Sequence, residues 1–592
     1  MSVFDDLSLA MIPSGFKDGK LYSVIPSDGS GDFTFSRGTN LAATRVNAQG
    51  LIEKGRENLL LQSNQFDTSW LSAGTTRTSG QSGYDGSSDA WLLESTNTGQ
   101  SSVIQSVSQS GVQTASVYAK TGTTDWMFLY LVGSPDKSAW FNLGNGTLGN
   151  TTGIDSSIKS VGNGWYRCSI SYDVTISSIR IYVSDGNNNV SSSMGANIYI
   201  QDAQLEVGLV ATDYIETTTT TAQAGILEDM PRLDYSGGAT CPSLLLEPER
   251  TNEVTYSEDF SQSYWTKSCE IESNTIIQPD NAQSGFNIVE KTSNAYQYWY
   301  KNNFAVTIGS KYTFSTFVKY INLRYIQLTV YNGGDYSSAC FDLINQTFTT
   351  SENGSYTATN AKIDDYGNGW LRIQYTFTSP VNNPIISICT NNTTTAGYVP
   401  LYIGTGLKSA VWGAQVEAGS YATSYIPTHG TSVTRSGDVC NNAGDSTIFN
   451  DSEGVLFAEI ASLNGDSSSN REISLSDGTT GNALRFYYAI NYENRIIPRV
   501  DAGGSTVWVG SVDVTTKPIK VALRYSSTGM DFYVNGTKEV TTNTSPSFTN
   551  SLRSLQMRRG DGNTGSDFYG EVRQLLYFNE ALTDAELQDL TS

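Results

Sequence analysis

The chain repeats itself, and this limits its fold more than any other feature. Residues 58 to 216 and 252 to 428 carry the same landmarks in the same order. The first copy opens with Asn58, Ser63, Phe66 and Trp70, the second with Asn252, Ser257, Phe260 and Trp265. SVYAK, ending at Lys120, matches STFVK, ending at Lys319. FNLGNGT from Phe141 matches FDLINQT from Phe341, and GNGWYRCSISY around Trp165 matches GNGWLRIQYTF around Trp370. Each copy closes alike, with DAQLEVGLVATDYIETT from Asp202 and GAQVEAGSYATSYIPTH from Gly413. Blocks in register over the whole span mean one domain, duplicated. Within each block apolar and polar residues alternate with period two, and Gly-Asn-Gly turns punctuate them. A sandwich of two antiparallel sheets satisfies both signals.

Composition supports that class. The 592 residues suit about three or four domains. With 55 Gly, 34 Tyr and only 16% charged residues, the chain is rich in turn and strand formers. Its 36 Lys+Arg against 58 Asp+Glu give a net charge of −22, which repels nucleic-acid phosphate and anionic lipid. Nucleic acid is therefore not an expected partner. No run of apolar residues reaches the ~18 a membrane span needs. The start, MSVFDDLSLAMIPSG, is acidic and broken by Ser8 and Pro13, unlike a secretory signal. A soluble protein made in a cytoplasm is expected. The six cysteines (Cys168, Cys241, Cys269, Cys340, Cys389, Cys440) are scattered singly and read as reduced and mostly buried.

The signature GNGWYR followed by a last strand AQLE-G resembles carbohydrate-binding-module jelly rolls of the kind related to galactose-binding domains. That resemblance implies paired acids on the last strand. Here the positions are Gln201-Asp202 and Trp412-Gly413, a departure that argues against a shared structural calcium. The end of the chain, GEVRQLLYFNEALTDAELQDL from Gly570, resembles the closing strand and helix of concanavalin-like, laminin-G-type lectin domains. Thr583 with Glu586 three residues on spells a capping box. Asn535-Gly536 between alternating stretches is a strong hairpin signal.

Two further phrases, FTFSRGTNLAATRVNAQGLIE and PRLDYSGGATCPSLLLEPERTN, resemble those opening tail-fibre and other structural proteins of tailed bacteriophages. In those proteins the phrases are usually consecutive. Here the first jelly-roll copy separates them, which fits insertion of a duplicated module. The fold expected is all-β, of tandem antiparallel jelly-roll β-sandwiches. Residues 1–55 form an N-terminal virion-attachment segment, 56–217 a first jelly roll, 218–250 a linker, 251–436 a second jelly roll and 437–592 a concanavalin A-like lectin domain.

The catalytic inventory is thin, and no enzyme is expected. His429 is the only histidine and lies in a domain-exit loop, SYIPTHGTSV, so multi-histidine metal sites are impossible. Arg559-Gly560-Asp561 reads as a turn. The same loop offers Asp561, Asn563 and Asp567 as oxygen ligands for calcium, the one cofactor candidate.

Aromatic placement is more informative. Along DWMFLYLV, Met127, Leu129 and Leu131 fall on one face and Trp126, Phe128 and Tyr130 on the other. In the second copy Ile326, Leu328 and Val330 oppose Tyr325, Gln327, Thr329 and Tyr331. One face is core; the other is a sugar-stacking platform or a packing surface. Trp126, Tyr130, Tyr325 and Tyr331 are the candidate contacts, with Trp299 of the Tyr298-Trp299-Tyr300 cluster as a further one. Trp165 and Trp370 follow the Gly-Asn-Gly turn, open a core strand and are read as packing residues.

The function expected is a phage virion appendage, on head or tail, displayed on the particle surface. It attaches through its N-terminal segment to other virion proteins and binds glycans on the host or its surroundings. A homo-oligomer, taken as a trimer, is expected. The rival readings are a purely structural coat component and a capsule-degrading enzyme.

Overall fold

The computed structural model describes residues 4, 7–17, 19–38, 41–153, 155–274, 276–282, 285–463, 469–490 and 492–592. The protein is built from antiparallel β-sandwiches. Each repeat copy contains two six-stranded sheets. In the first copy one sheet runs, edge to edge, Thr147–Thr151, Lys137–Asn142, Trp126–Gly133, Ile176–Ser184, Ser101–Gln109 and Leu71–Ala73. In the second the order is Thr347–Asn353, Asp335–Asp342, Tyr325–Asn332, Ile385–Asn391, Tyr298–Lys301 and Thr266–Lys267. The facing sheets also correspond strand for strand, with Val112–Thr121 between Trp165–Asp173 and Asn197–Val207, and Lys311–Tyr320 between Trp370–Thr378 and Lys408–Ala418. Duplication seen in the sequence is thus duplication of topology.

The repeated landmarks close each sandwich. Asn58 donates to the carbonyls of Ala203 and Ile215 and accepts from the amides of Leu60 and Leu205. Asn252 does the same with Ala414, Ile426, Val254 and Val416. Gln204 donates to Glu206 at 2.6 Å, as Gln415 does to Glu417, and each Glu accepts from the following Thr212 or Thr423. Ser63 and Tyr214 pair at 2.5 Å, Ser257 and Tyr425 at 2.6 Å. Apart from the half-buried Thr212 and Tyr214 these polar groups are buried, so they survive only because each finds its partner. Even the last-strand irregularity is shared. Strand pairing slips between Ser116 and Tyr118 and between Ser315 and Phe317, opposite Asp202 (φ 52°) and Gly413 (φ 63°). A side chain at Gly413 would come within 2.9 Å of the Phe317 ring, so that copy needs glycine.

The third sandwich is assembled from distant pieces, which corrects two boundaries expected from sequence. Its eight-stranded sheet places Gly570–Phe578 beside Gly454–Ser462, which leads on to Ile519–Ser526, Gly529–Val534 and Thr537–Thr542. The other edge of Gly570–Phe578 is covered by Leu7–Met11 and by Ser243–Leu246, lying end to end. Leu9, Met11, Leu21, Phe33 and Phe35, together with Leu233, Leu244 and Leu246, pack in the same core as Leu456, Phe486 and Leu575. Residues expected to form a separate attachment segment and a linker are therefore structural parts of this base sandwich. They are needed because the edge of Gly570–Phe578 would otherwise present unpaired backbone and apolar side chains to water.

Both jelly rolls are insertions into the base. Arg56–Asn58, leading into the first, pairs with Ala222–Ala224 leaving it. Arg250–Asn252 and Val433–Arg435 do the same for the second. At the junction lies a buried charge hub. Arg37 meets Asp438 at 3.1 Å, Arg232 meets Glu247 at 2.7 Å and also Asp438, and Arg435 meets Glu247 at 2.7 Å. The two phage-like phrases contribute Arg37, Arg232 and Glu247, so segments far apart in sequence are adjacent here.

Local signals read from the sequence hold. Asn535 (φ 47°) and Gly536 (φ 81°) make the two-residue turn between Gly529–Val534 and Thr537–Thr542. Thr583 caps the helix Asp584–Thr591 in a capping box with Glu586. That helix lays Leu587 and Leu590 against Phe457, Tyr533 and Leu576 on the outer side of the sheet. All six cysteines are free, and only Cys241 is exposed. Among the described residues no helix is long and apolar enough to cross a membrane.

Candidate functional site

In the first jelly roll the strand Trp126–Gly133 sorts its side chains as its alternation requires. Met127, Leu129 and Leu131 enter the core. Trp126, Phe128 and Tyr130 join Trp140, Tyr182 and Val190 on the outer face. Cross-strand pairing arranges this face in rows: Asn142, Trp126 and Ser184; then Trp140, Phe128 and Tyr182; then Ser138, Tyr130 and Arg180. Phe128 and Trp140 stack at 3.9 Å and 14°, and both are buried, as is Tyr182. Trp126, Tyr130 and Arg180 remain half-exposed at the margins of this rigid floor. Gly149 leaves room beside the Trp126 ring, since a Cβ there would lie 2.8 Å from it. The Tyr130 hydroxyl donates to Asp136 at 2.5 Å. That hydrogen bond, with some burial, pushes the phenol up to about 12.

The equivalent face of the second jelly roll differs. Ile326, Leu328 and Val330 are core residues, and Tyr325, Gln327, Thr329 and Tyr331 face outward, as the alternation predicts. A loop of the same domain then covers this face: Gln327 donates to the carbonyls of Gly397 and Tyr398 at 2.9 and 3.2 Å, and Tyr398 packs edge-on against Tyr331. Tyr331 is consequently buried, which removes it as an open stacking platform. Tyr325 stays half-exposed, with the Arg324 guanidinium 5.2 Å from its ring.

Trp299 is also corrected. It is 0% exposed and packs in the core, 5.3 Å from Phe260. Its neighbours Tyr298 and Tyr300 take the outer face and stack on each other at 4.6 Å, with the exposed Tyr296 beside Tyr298. Period two along YQYWY carried this information. Trp165 and Trp370 are buried as expected, but on the outer sides of their sheets rather than in the sandwich cores. Trp165 packs with Tyr84 and Tyr118, and Trp370 with Ile52, Trp412 and Tyr425.

The cation candidates resolve differently from expectation. Arg559 engages both oxygens of Asp561 at 2.9 and 2.8 Å, and Arg558 engages Asp567. Asn563 accepts from the Gly565 amide. The oxygens expected to ligate calcium thus serve arginines and a turn, and Arg559-Gly560-Asp561 is the turn it was read as. Among the described residues no group of three or more His, Cys, Asp or Glu side chains is placed to hold a metal. Near the last strand of the first copy, Gln201 donates to Asp85, Ser87 and Asp89. At the matching place in the second copy, Lys54 from the N-terminal segment lies 2.9 Å from Asp280 and 3.3 Å from Glu258. Burial opposes its charge, but the two carboxylates outweigh it and hold the ammonium above its ordinary range.

His429 sits between the two jelly rolls, bridged to Tyr256 and facing Gly111 and Gly208 of the first. Burial, then the charge of Lys54, push its imidazole down to about 3, so it stands neutral as an interface residue. On the six-stranded sheet of the base sandwich, Glu472 and Asp501 are joined through Arg485, at 3.1 and 2.5 Å. A carboxylate pair tied to one arginine in this way is not free to act as acid and base.

Residues 460–588 match the model of the concanavalin A-like lectin/glucanases superfamily, Laminin_G_3. The comparison with curated proteins finds no match. Among solved structures the chain is similar to the Ruminococcus gnavus IT-sialidase CBM40, with 15% identity over 26% of this chain and 94% of that one, at a TM-score of 0.22. It is also similar to the tandem CBM22 domain of Paenibacillus barcinonensis Xyn10C, with 11% identity over 65% and 100% and a TM-score of 0.21. A third is the Trypanosoma rangeli sialidase, with 10% identity over 94% and 98% and a TM-score of 0.21.

Proposed function

We propose that this protein is a glycan-binding appendage of a phage particle, a lectin-type base sandwich that carries two jelly rolls. The observation that supports binding most directly is the outer face of the first jelly roll. Its half-exposed Trp126 and Tyr130 rings stand on the stacked Phe128–Trp140 floor. Rigid aromatic faces of this kind stack on the apolar side of a sugar ring, and binding weak at one site becomes strong through copy number. The lectin-family match of residues 460–588 favours the same chemistry. The phage reading rests on the resemblance of the phrases around Arg37 and Arg232 to virion proteins. Homotrimeric assembly belongs to the proposal. The test is a glycan array with the full chain and with Trp126→Ala, alongside immunogold labelling of particles. Array signal lost in the variant, and gold on the virion, support it; silence on every glycan, or absence from particles, overturns it. A structural coat role is the second reading, favoured by the self-covered face of the second jelly roll.

A further inference from the structure

Arg180 stands out on the candidate face. It projects from the outer side of Ile176–Ser184, paired across the sheet with Tyr130 on one side and Ile104 on the other. It is half-exposed, and its hydrogen bonds are two long ones, at 3.4 Å, to Ser178 and the Tyr182 hydroxyl. Among the described residues it forms no ion pair, whereas the arginines of the junction hub, the base sheet and the Arg558–Arg559 turn are all matched to carboxylates. Asp136, on the same face, feels the charge of Arg180 without forming an ion pair with it, and its oxygens accept from the Tyr130 hydroxyl and the Gly133 amide. In the second copy the matching row reads Ser338, Thr329 and Ser387, with no cation.

Resting on the glycan-binding reading above, we infer that the first jelly roll selects saccharides bearing a carboxylate, such as uronic acid residues. In this arrangement the Arg180 guanidinium takes the carboxylate in a forked pair while the Trp126 and Tyr130 rings flank the sugar. A guanidinium presents paired N–H donors that match carboxylate geometry, and charge-assisted bonds of this kind are about twice as strong as neutral ones. The net charge of −22 makes the local cation more telling, since the rest of the surface repels an anionic chain. Selectivity would therefore be written on one copy of the duplicated module and absent from the other.

The test compares oligogalacturonate with its fully methyl-esterified form, which keeps the sugars and removes the charge, against the full chain by calorimetry. The acid form should bind about tenfold more tightly or better, with the preference shrinking as salt rises. Arg180→Ala should bring both forms to the same affinity, Arg180→Lys should keep part of the preference, and Trp126→Ala should weaken both forms together. Unchanged melting temperatures show that the variants fold. Equal binding of acid and ester by the unaltered protein, or a preference that persists in Arg180→Ala, overturns the inference while leaving glycan binding standing. Failure to bind any glycan, neutral ones included, overturns the underlying reading and the inference with it.

Discussion

Arg37 and Asp438, 401 residues apart in the chain, meet at 3.1 Å with neither side chain reached by solvent. Asp438 also holds Arg232 and accepts from the Glu247 amide, so one carboxylate gathers three segments that the two insertions separate. Removing it leaves two buried guanidinium groups short of a counter-charge. Asp438→Ala should cost about 3 to 5 kcal/mol. Urea denaturation followed by tryptophan fluorescence checks this; a change below about 1 kcal/mol would mean that the hub is relieved by water.

Deleting residues 1–36 should prevent the base sandwich from forming, since it strips Leu9, Met11, Phe33 and Phe35 from the core and uncovers one edge of Gly570–Phe578. The expected result is rapid proteolysis after residue 437 with the jelly rolls left resistant. A truncated chain that is as protease-resistant as the full one would contradict the assembly described above.

How much of this was legible in the sequence depends on the range of each interaction. The alternation along Trp126–Gly133 and the turn at Asn535-Gly536 are local, and both were readable. So were the matched blocks, although their chemistry was not: Asn58, Gln204 and Glu206 recur because they close the sandwich, a role visible only once both ends of the domain meet. Alternation with Tyr298 and Tyr300 already places Trp299 on the core side, a local signal. Arg558 and Arg559 lie close in sequence to the acids they neutralise, which is also a local signal. Tyr331 has no such signal, because its cover comes from the loop around Tyr398, and nothing near Leu9 announces a partner at the far end of the chain.

Trp165 and Trp370 on one side and Trp126 on the other should separate cleanly. Trp165→Ala and Trp370→Ala remove rings that are 1% exposed and should each destabilise the fold by about 3 to 5 kcal/mol. Trp126→Ala should weaken glycan binding with much less effect on melting temperature. Calorimetric melting beside a binding assay distinguishes the two classes, and a large loss of stability in Trp126→Ala would assign that ring to packing.

Asp202 gives a pH dependence. Burial raises its carboxyl from 3.8 to about 7 despite the Tyr84 hydrogen bond, with the charges of Asp89 and Asp85 adding to the rise. The folded state therefore holds this proton more tightly than the unfolded chain does. Its contribution is fully present below about pH 4 and is lost as pH rises through 7. Asparagine tolerates the positive φ here and carries no charge. Asp202→Asn should match the unaltered protein near pH 4 and exceed it at pH 8 by up to about 4 kcal/mol, at about 1.4 kcal/mol per pKa unit. Identical stability curves across that range would show that the carboxyl titrates normally.

The insertion of both jelly rolls into the base also sets an order of events during synthesis. Leu7 pairs with Phe578, so the strand Leu7–Met11 is made long before the strand it bonds to. Each jelly roll, by contrast, has its incoming and outgoing strands side by side and is complete once its own closing strand is made. Domains fold as units while the chain is still growing. The two modules can thus form early, while Leu9, Met11, Phe33 and Phe35 lack part of their core until the strand Gly570–Phe578 is made. A nascent chain stalled before residue 570 would carry finished jelly rolls on an open, aggregation-prone base, and it is in this interval that a chaperone would have the most to do.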